Sequence, residues 1–234
     1  MTILFRPQGA FGWFSYTTSR DTIETYEAKA RSVGLGMEGA LALYAWNAQA
    51  CGALLPLLHI CEVVIRNAVA DAFEATHGPR WPWIPGFERS LPRQAGPGYD
   101  ALSDLQMVRS KAKTTGHVIA ELKFVFWEKI FTSRHDHRLW QSQLMRVLPN
   151  LDTHKTVAQH RKGIFDDLNQ VRKLRNRIAH HEPIFTRDLL DDFQTIRRLV
   201  EARCQVSAQW MVSQQRVLEM LQCKPCEPGR YGFC

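Results

Sequence analysis

Apolar residues recur along this chain at steps of three and four positions, the spacing that gathers side chains on one face of an α-helix. The pattern is strongest from Met37 to His77, where it comprises Leu41, Tyr44, Ala48, Cys51, Leu55, Leu58, Cys61, Ile65, Ala68 and Ala72. Pro56 lies in the middle of that stretch and has no amide hydrogen to donate. We therefore expect it to break or kink the stretch, leaving one helix before it and one after.

The rest of the chain is also helical in pattern and has no strand-like alternation of useful length. A short helix should follow Ser19, which can cap it, and run through Tyr26. Further helices are predicted at about 101–113, 117–131, 139–149, 156–181, 186–205 and 207–222. By contrast, nine of the 23 residues from 78 to 100 are glycine or proline, so that segment should be an irregular loop. The sequence predicts an all-α protein, with residues 1–222 in one helical domain.

The predicted helix before Pro183 carries the clearest chemistry. Asn176 and His180 are four residues apart and share one face, which Arg172 extends by one turn. The residue before a proline disfavours the helical conformation, so the helix should end near His180 or His181. The apolar residues of this helix follow helical spacing and supply a stripe that faces the core: Leu168, Val171, Leu174 and Ile178.

Arg175 lies five residues before His180, a rotation of about 140° in projection. The arginine therefore either bends back or meets the histidine of a second copy. A guanidinium, an amide and an imidazole suit cleavage of a phosphodiester without a metal, because RNA supplies its own 2′-hydroxyl nucleophile. Such a site has only to deprotonate that hydroxyl, stabilise the charged phosphorane and protonate the leaving oxygen. A solvated basic helix end, with an ordinary histidine in the last turn, is the alternative interpretation.

Roles follow for the neighbouring residues. We expect Arg175, Asn176 and His180 to be catalytic, and a second group to contact the RNA backbone: Arg172, Lys173, Arg177 and His181. His181 lies ~100° around the helix from His180 and should face the turn into Pro183. Further upstream, Glu62 and Arg66 are spaced for an ion pair within an apolar helix. Either they form that pair, or Glu62, Arg66 and Asn67 orient the catalytic helix without contacting the RNA themselves.

Two other groups are weaker candidates for contact with RNA. His135 and His137 lie between Arg134 and Arg138, and a solvated polar turn is the simpler interpretation of that segment. In the Gly/Pro-rich loop, Trp81 and Trp83 could stack on bases, although packing against the body of the protein is the more common use of tryptophan.

Composition favours a polyanionic partner and disfavours a membrane. The net charge is +7 and the isoelectric point about 9.3. No apolar run approaches the ~20 residues of a membrane span and the N-terminus lacks a signal pattern, so we expect a cytoplasmic protein. No cofactor or metal is expected, because Glu62 and Glu182 do not make a carboxylate cluster.

The six cysteines fall into two groups. Cys51, Cys61 and Cys204 have helical, apolar surroundings and should be small core residues. Residues 223–234 hold the others, and Cys223-x-x-Cys226 has the spacing of metal ligands but no second pair beside it. A zinc site completed by Cys234 and a distant histidine is one alternative. A flexible tail is the expectation.

Several segments, taken in order, resemble one family. They are Leu-Tyr-Ala-Trp-Asn at 43–47, Glu-Val-Val-Ile-Arg-Asn at 62–67, Phe-Trp-Glu-Lys-Ile-Phe at 126–131, Leu-Trp at 139–140 and Leu-Arg-Asn-Arg-Ile-Ala-His-His-Glu-Pro-Ile-Phe at 174–185. Together they resemble the Abi-like (abortive infection) family of the HEPN superfamily, from about Thr18 to about Trp210. The last segment matches the R-N-x-x-x-H motif of that superfamily with Arg175, Asn176 and His180.

The resemblance implies an antiparallel helical bundle that forms a homodimer, with two such motifs facing each other across a cleft. It also implies metal-independent RNA cleavage in phage defence or as the toxin of a toxin–antitoxin pair, under an antitoxin or another regulatory protein. Some HEPN proteins bind RNA without cutting it. A non-catalytic RNA-binding or regulatory subunit is therefore the alternative. The Gly/Pro-rich loop and the cysteine-bearing tail are peripheral to the family pattern, and the resemblance implies no particular role for them.

Overall fold

The computed structural model describes residues 20–92, 96 and 98–225, and all regular secondary structure in that part of the chain is helical. The prediction of an all-α protein is confirmed. Eleven α-helices are described: α1 Arg20–Ser32, α2 Met37–His77, α3 Pro85–Ser90, α4 Ala101–Lys111, α5 Thr115–Glu121, α6 Phe124–Ile130, α7 Gln141–Val147, α8 Val157–Ala179, α9 Leu189–Arg203, α10 Gln205–Gln214 and α11 Val217–Gln222. Short 3₁₀ turns at Trp81–Trp83 and Ser133–His135 and a π turn at Asp136–Trp140 complete the set. The predicted Ser19 cap lies outside the described residues.

Helix α2 contradicts the expectation that Pro56 divides it. The helix runs through the proline for 41 residues without interruption. A proline costs one backbone hydrogen bond and crowds the carbonyl four residues earlier. Here that residue is Gly52, and both positions are exposed, so the freed carbonyl can be hydrated. Buried side chains on either side, Leu54 and Leu57 among them, hold the helix together across the proline.

The Gly/Pro-rich segment also differs from its prediction as an irregular loop. It contains the 3₁₀ turn Trp81–Trp83 and helix α3, and it packs through Trp81 and Phe87. The Trp81 ring centroid lies 4.8 Å from that of Phe73 and 4.8 Å from that of Phe87, and Trp81 is fully buried. The expectation that Trp81 packs against the body is confirmed. Aromatic burial therefore imposes regular structure on a composition that does not favour it.

Two predicted helices are each divided in two. The stretch 117–131 is interrupted where the buried Leu122 takes an extended backbone, which gives α5 and α6. The stretch 207–222 is interrupted between Gln214 and Val217, which gives α10 and α11. In both cases apolar spacing continues across the break, so the periodicity alone does not reveal it.

The described residues belong to two compact units. The first unit consists of the described residues within Met1–Leu55, Asn176–Asp191 and Gln215–Cys234. The second unit consists of those within Pro56–Arg175 and Asp192–Gln214. Helices α2, α8 and α9 contribute to both units, and α2 passes from one to the other at Pro56. In the first unit, Tyr26 packs against Tyr44 and Phe185. In the second, Trp127 and Trp140 are fully buried.

One described helix meets the length and composition of a membrane span. Helix α2 contains an 18-residue window with a mean hydropathy of 1.7, and 33% of the window is buried in the protein. The expectation that no apolar segment has that length was wrong. The core helix of a soluble protein meets the same two criteria, so this observation alone does not assign a membrane location.

Candidate functional site

Helix α8 presents its predicted faces as expected. The apolar stripe is buried, with Leu168 and Leu174 fully inaccessible and Val171 and Ile178 nearly so. Lys173 and Arg175 are exposed, and Asn176 is half-buried. The helix therefore holds its motif residues at the surface because the opposite stripe is fixed in the core.

The end of α8 is a Schellman turn, in which a residue in the left-handed conformation terminates the helix. The amide of His181 donates to the carbonyl of Ile178 at 3.1 Å, and the amide of Glu182 donates to that of Arg177 at 2.8 Å. His181 is the left-handed residue, with a φ of 57°, and is the only non-glycine residue with positive φ in the described part of the chain. The last helical residue is Ala179, close to the predicted end.

His180 is thus the residue that caps the helix. Its amide donates to the carbonyl of Asn176 at 2.9 Å, and its side chain is exposed. Asn176 and His180 are therefore one turn apart across a continuous helical hydrogen bond, as the spacing predicted. His181 occupies a different backbone conformation, which separates the two histidines more sharply than the ~100° step of an ideal helix.

The segment that leaves this turn is fixed by two side chains. The Arg177 guanidinium donates from Nε to the carbonyl of Pro183 at 3.1 Å and lies 3.6 Å from the Glu182 carboxylate. Asn47 accepts a hydrogen bond from the amide of Ile184 at 2.8 Å. Arg177, predicted as an RNA contact, thus also holds the turn, and sequence reasoning did not identify Asn47 as part of this region.

Arg172 has a partner that the sequence did not indicate. Its Nε donates to the Glu128 carboxylate, whose side chain is fully buried, while the Arg172 side chain is 27% exposed. Lys129 Nζ lies 3.3 Å from the second carboxylate oxygen of Glu128. A buried carboxylate needs a cationic partner, so Arg172 stabilises the packing of α6 on α8. The sequence signal was the pair of charged residues within the aromatic run at 126–131.

The upstream group does not form its expected ion pair. Among the described residues Glu62 makes no salt bridge with Arg66, whose Nε is buried without a hydrogen-bond partner. Glu62 is half-buried and Asn67 exposed. Glu62 lies close enough to Cys61 that its charge, after burial, contributes to raising the pKa of that thiol. The predicted supporting role of these residues stays a prediction.

His135 differs from the expectation of a solvated turn. It is 6% exposed, and its Nε2 has no hydrogen-bond partner. Burial, together with the neighbouring charges of Arg134 and Arg138, lowers its pKa to about 4, although Asp136 acts in the opposite direction. Arg134, His137 and Arg138 are exposed. His135 is therefore a packed residue at the end of the 3₁₀ turn, directly before the π turn.

The cysteines that the structure describes divide differently from the prediction. Cys61 is buried, which fits a core residue, and burial raises its pKa. Cys204 instead precedes α10 and accepts a hydrogen bond from the amide of Ser207. Hydrogen bonding from the Ser207 side chain, and secondly from that amide, lowers the pKa of the Cys204 thiol. Within residues 20–92, 96 and 98–225, no group of three or more His, Cys, Asp or Glu side chains could hold a metal ion. The tail from 226 to 234, including Cys226 and Cys234, lies outside the described residues.

The motif end of α8 thus offers a cation, an amide and an imidazole at one exposed helix terminus. An imidazole can serve as a general base or a general acid, and the guanidinium can neutralise a phosphate. Comparison of the chain with protein-family models, with curated proteins and with solved structures gives no match.

Proposed function

We propose that this protein is a metal-independent endoribonuclease of the HEPN type. The observation that carries the proposal is the exposed His180 at the capped end of α8, one helical turn after Asn176 and five residues after the exposed Arg175. The resemblance of the ordered segments to the Abi-like family points to the same chemistry. In this proposal two copies form a homodimer in the cytoplasm, and the RNA backbone lies along the motif.

Each motif residue has a distinct role in the proposed reaction. His180 acts as general base on the 2′-hydroxyl or as general acid on the leaving 5′-oxygen. Arg175 neutralises the phosphorane as negative charge develops, and Asn176 orients His180 or the phosphate. The 2′-oxygen attacks the adjacent phosphorus and the bond to the 5′-oxygen breaks, which leaves a 2′,3′-cyclic phosphate and a 5′-hydroxyl.

Contact with the RNA backbone is proposed for the exposed Lys173 and His181, with Arg172 and Arg177 in a smaller part. Arg172 and Arg177 already bind Glu128 and Pro183, which leaves less of each guanidinium for phosphate. Binding should weaken as salt rises, because each phosphate contact releases counterions. In a bacterium such an activity suits phage defence or a toxin restrained by an antitoxin.

A cleavage assay on purified protein tests the proposal. The substrates are one RNA and a copy with 2′-deoxyribose at the cleaved position, and the products are analysed for cyclic phosphate. We expect cleavage of the RNA alone, loss of cleavage in His180→Ala, and substantial retention in the matched control His181→Ala. Cleavage of the deoxy substrate, or equal activity of His180→Ala and wild type, would refute the mechanism.

The alternative is a non-catalytic RNA-binding or regulatory subunit. Its expected signature is RNA binding with no strand scission, and with the same affinity in His180→Ala as in wild type. Comparing growth of a bacterial host that expresses wild type or His180→Ala separates the two functions in cells, because only a nuclease makes growth depend on His180.

A further inference from the structure

The segment that carries His180 holds one strained residue, which its surroundings must keep in place. His181 has a φ of 57°, a conformation that costs a residue with a Cβ roughly 1–2 kcal/mol. Such conformations persist only where the neighbouring structure imposes them, and they cluster at functional sites. The bonds that impose this one therefore bear on the geometry of the adjacent His180.

Polar contacts on both sides fix the turn, and one of them comes from outside the helix and its exit. The amides of His181 and Glu182 bind backward to the end of α8, and Arg177 reaches forward to the carbonyl of Pro183. Pro183 has no amide hydrogen. The amide of Ile184 is therefore the next donor along the chain, and Asn47 accepts it.

Asn47 is poorly explained by packing alone. It is 6% exposed on α2, where an aliphatic side chain would be buried at lower cost in desolvation. Its amide nitrogen lies 3.9 Å from Cys51 Sγ, one turn along the same helix, which orients the oxygen toward Ile184. Because it is buried, Asn47 is not suited to contact RNA.

The far side of the anchored segment is equally fixed. Ile184 is fully buried, and the ring of Phe185 lies 5.0 Å from that of Tyr26. The exit of α8 is thus held between the helix end and the core of the first unit, and the Asn47–Ile184 hydrogen bond is a polar link between α2 and that exit.

We infer that Asn47 is a positioning residue: through the Ile184 amide it holds the turn that presents His180 in the geometry needed for cleavage. The inference rests on the proposed function of that site. Misplacement of a reacting group by about 1 Å can cost ~10²-fold in rate. Loss of the Asn47 oxygen should therefore lower kcat by about 10–100-fold. KM should change little, because Lys173 and Arg175 still bind the phosphates.

The test compares Asn47→Leu, which removes the acceptor at similar volume, with Asn47→Asp, which keeps an acceptor oxygen. Gln170→Leu is the matched control, because it removes a half-buried amide that binds Asp192 in the second unit. Where Asn47→Leu does not fold, Asn47→Ala replaces it. The probe is the RNA that the wild type cleaves, and kcat and KM are measured separately. We expect kcat to fall in Asn47→Leu, to be partly restored in Asn47→Asp and to stay near wild type in Gln170→Leu.

A second measurement does not depend on catalysis. Hydrogen exchange at the Ile184 amide and the ring resonances of His180 and His181 are followed by NMR. We expect faster exchange and shifted resonances in Asn47→Leu and neither change in Gln170→Leu. Unchanged exchange and resonances in folded Asn47→Leu would overturn the positioning role, as would a kcat equal to that of the control. Wild-type protein that cuts no RNA would refute the proposed function, and the NMR result would still decide the role of Asn47.

Discussion

Replacing His181 by glycine should stabilise the protein, although it removes a side chain. His181 is the left-handed residue of the Schellman turn, a position that glycine fills without a steric cost. The strain on a residue with a Cβ is roughly 1–2 kcal/mol, and histidine lies toward the lower end because it is among the better tolerated residues there. Glycine gives back about 0.4–1 kcal/mol through the greater freedom of the unfolded chain.

The net expectation for His181→Gly is a gain of roughly 0.5 kcal/mol, and at most about 1 kcal/mol, in the free energy of unfolding. For a chain of this size that corresponds to a rise of about 1–4 °C in Tm. Urea unfolding followed by far-ultraviolet circular dichroism measures the gain as a higher midpoint at an unchanged slope.

Two matched variants isolate the backbone as the cause. His180→Gly makes the same change one residue earlier, where φ is negative, and should cost about 0.5–1 kcal/mol. His181→Ala keeps the Cβ and therefore the strain, so it should change stability little. If His181→Gly destabilises the protein, or matches His180→Gly, the assignment of strain to His181 is refuted.

The remaining predictions concern the buried charges and the proposed reaction. Arg172→Met should lower the free energy of unfolding by about 3–5 kcal/mol, because it leaves Glu128 buried without its main partner. Glu128→Gln should lower it less, because Arg172 can turn toward solvent. Urea unfolding of both variants measures the difference. His135 has a folded pKa of about 4 against an ordinary 6.5, so its contribution to stability is present above pH 6.5 and is lost as the pH falls toward 4. Between pH 6.5 and 4, the Tm of a His135→Leu variant, which cannot titrate at this position, should fall less than that of wild type. An equal fall in Tm in the two proteins would contradict the proposed contribution of His135. RNA cleavage should persist in chelator, and its loss with recovery by magnesium would rule out the proposed chemistry. Co-expressed Arg175→Ala and His180→Ala subunits should recover part of the activity that each lacks alone, whereas no recovery in a verified mixed dimer would exclude a composite site.

The sequence predicts the helices and the exposed face of the motif because both depend on short-range spacing. Asn176 and His180 share a face through one turn of helix, and the burial of Leu168 and Leu174 follows from the same period. The breaks in the stretches 117–131 and 207–222 were missed because apolar periodicity does not register a change of backbone direction.

Contacts between distant segments could not be predicted in the same way. Asn47 is 137 positions from Ile184, and Arg172 is 44 positions from Glu128. Asn47 and Glu128 are each an ordinary polar residue within a largely apolar stretch until the partner is known. The left-handed conformation of His181 is likewise a property of the whole turn. A glycine at this position would have indicated a left-handed helix end from the sequence, whereas a histidine does not.

The placement of the tryptophans determines what a fluorescence experiment on this protein can report. Of the six in the described residues, Trp46 belongs to the first unit, and the other five, Trp81, Trp83, Trp127, Trp140 and Trp210, belong to the second. Trp46 donates its indole hydrogen to the carbonyl of Met220, and Lys224 Nζ lies 5.7 Å from the centroid of the Trp46 ring. The Trp46 indole therefore has a polar, charged environment that should influence its emission. Total emission is therefore weighted toward the unit that lacks His180. Replacing the other tryptophans by phenylalanine would leave Trp46 as an optical probe of the unit that holds the motif histidine.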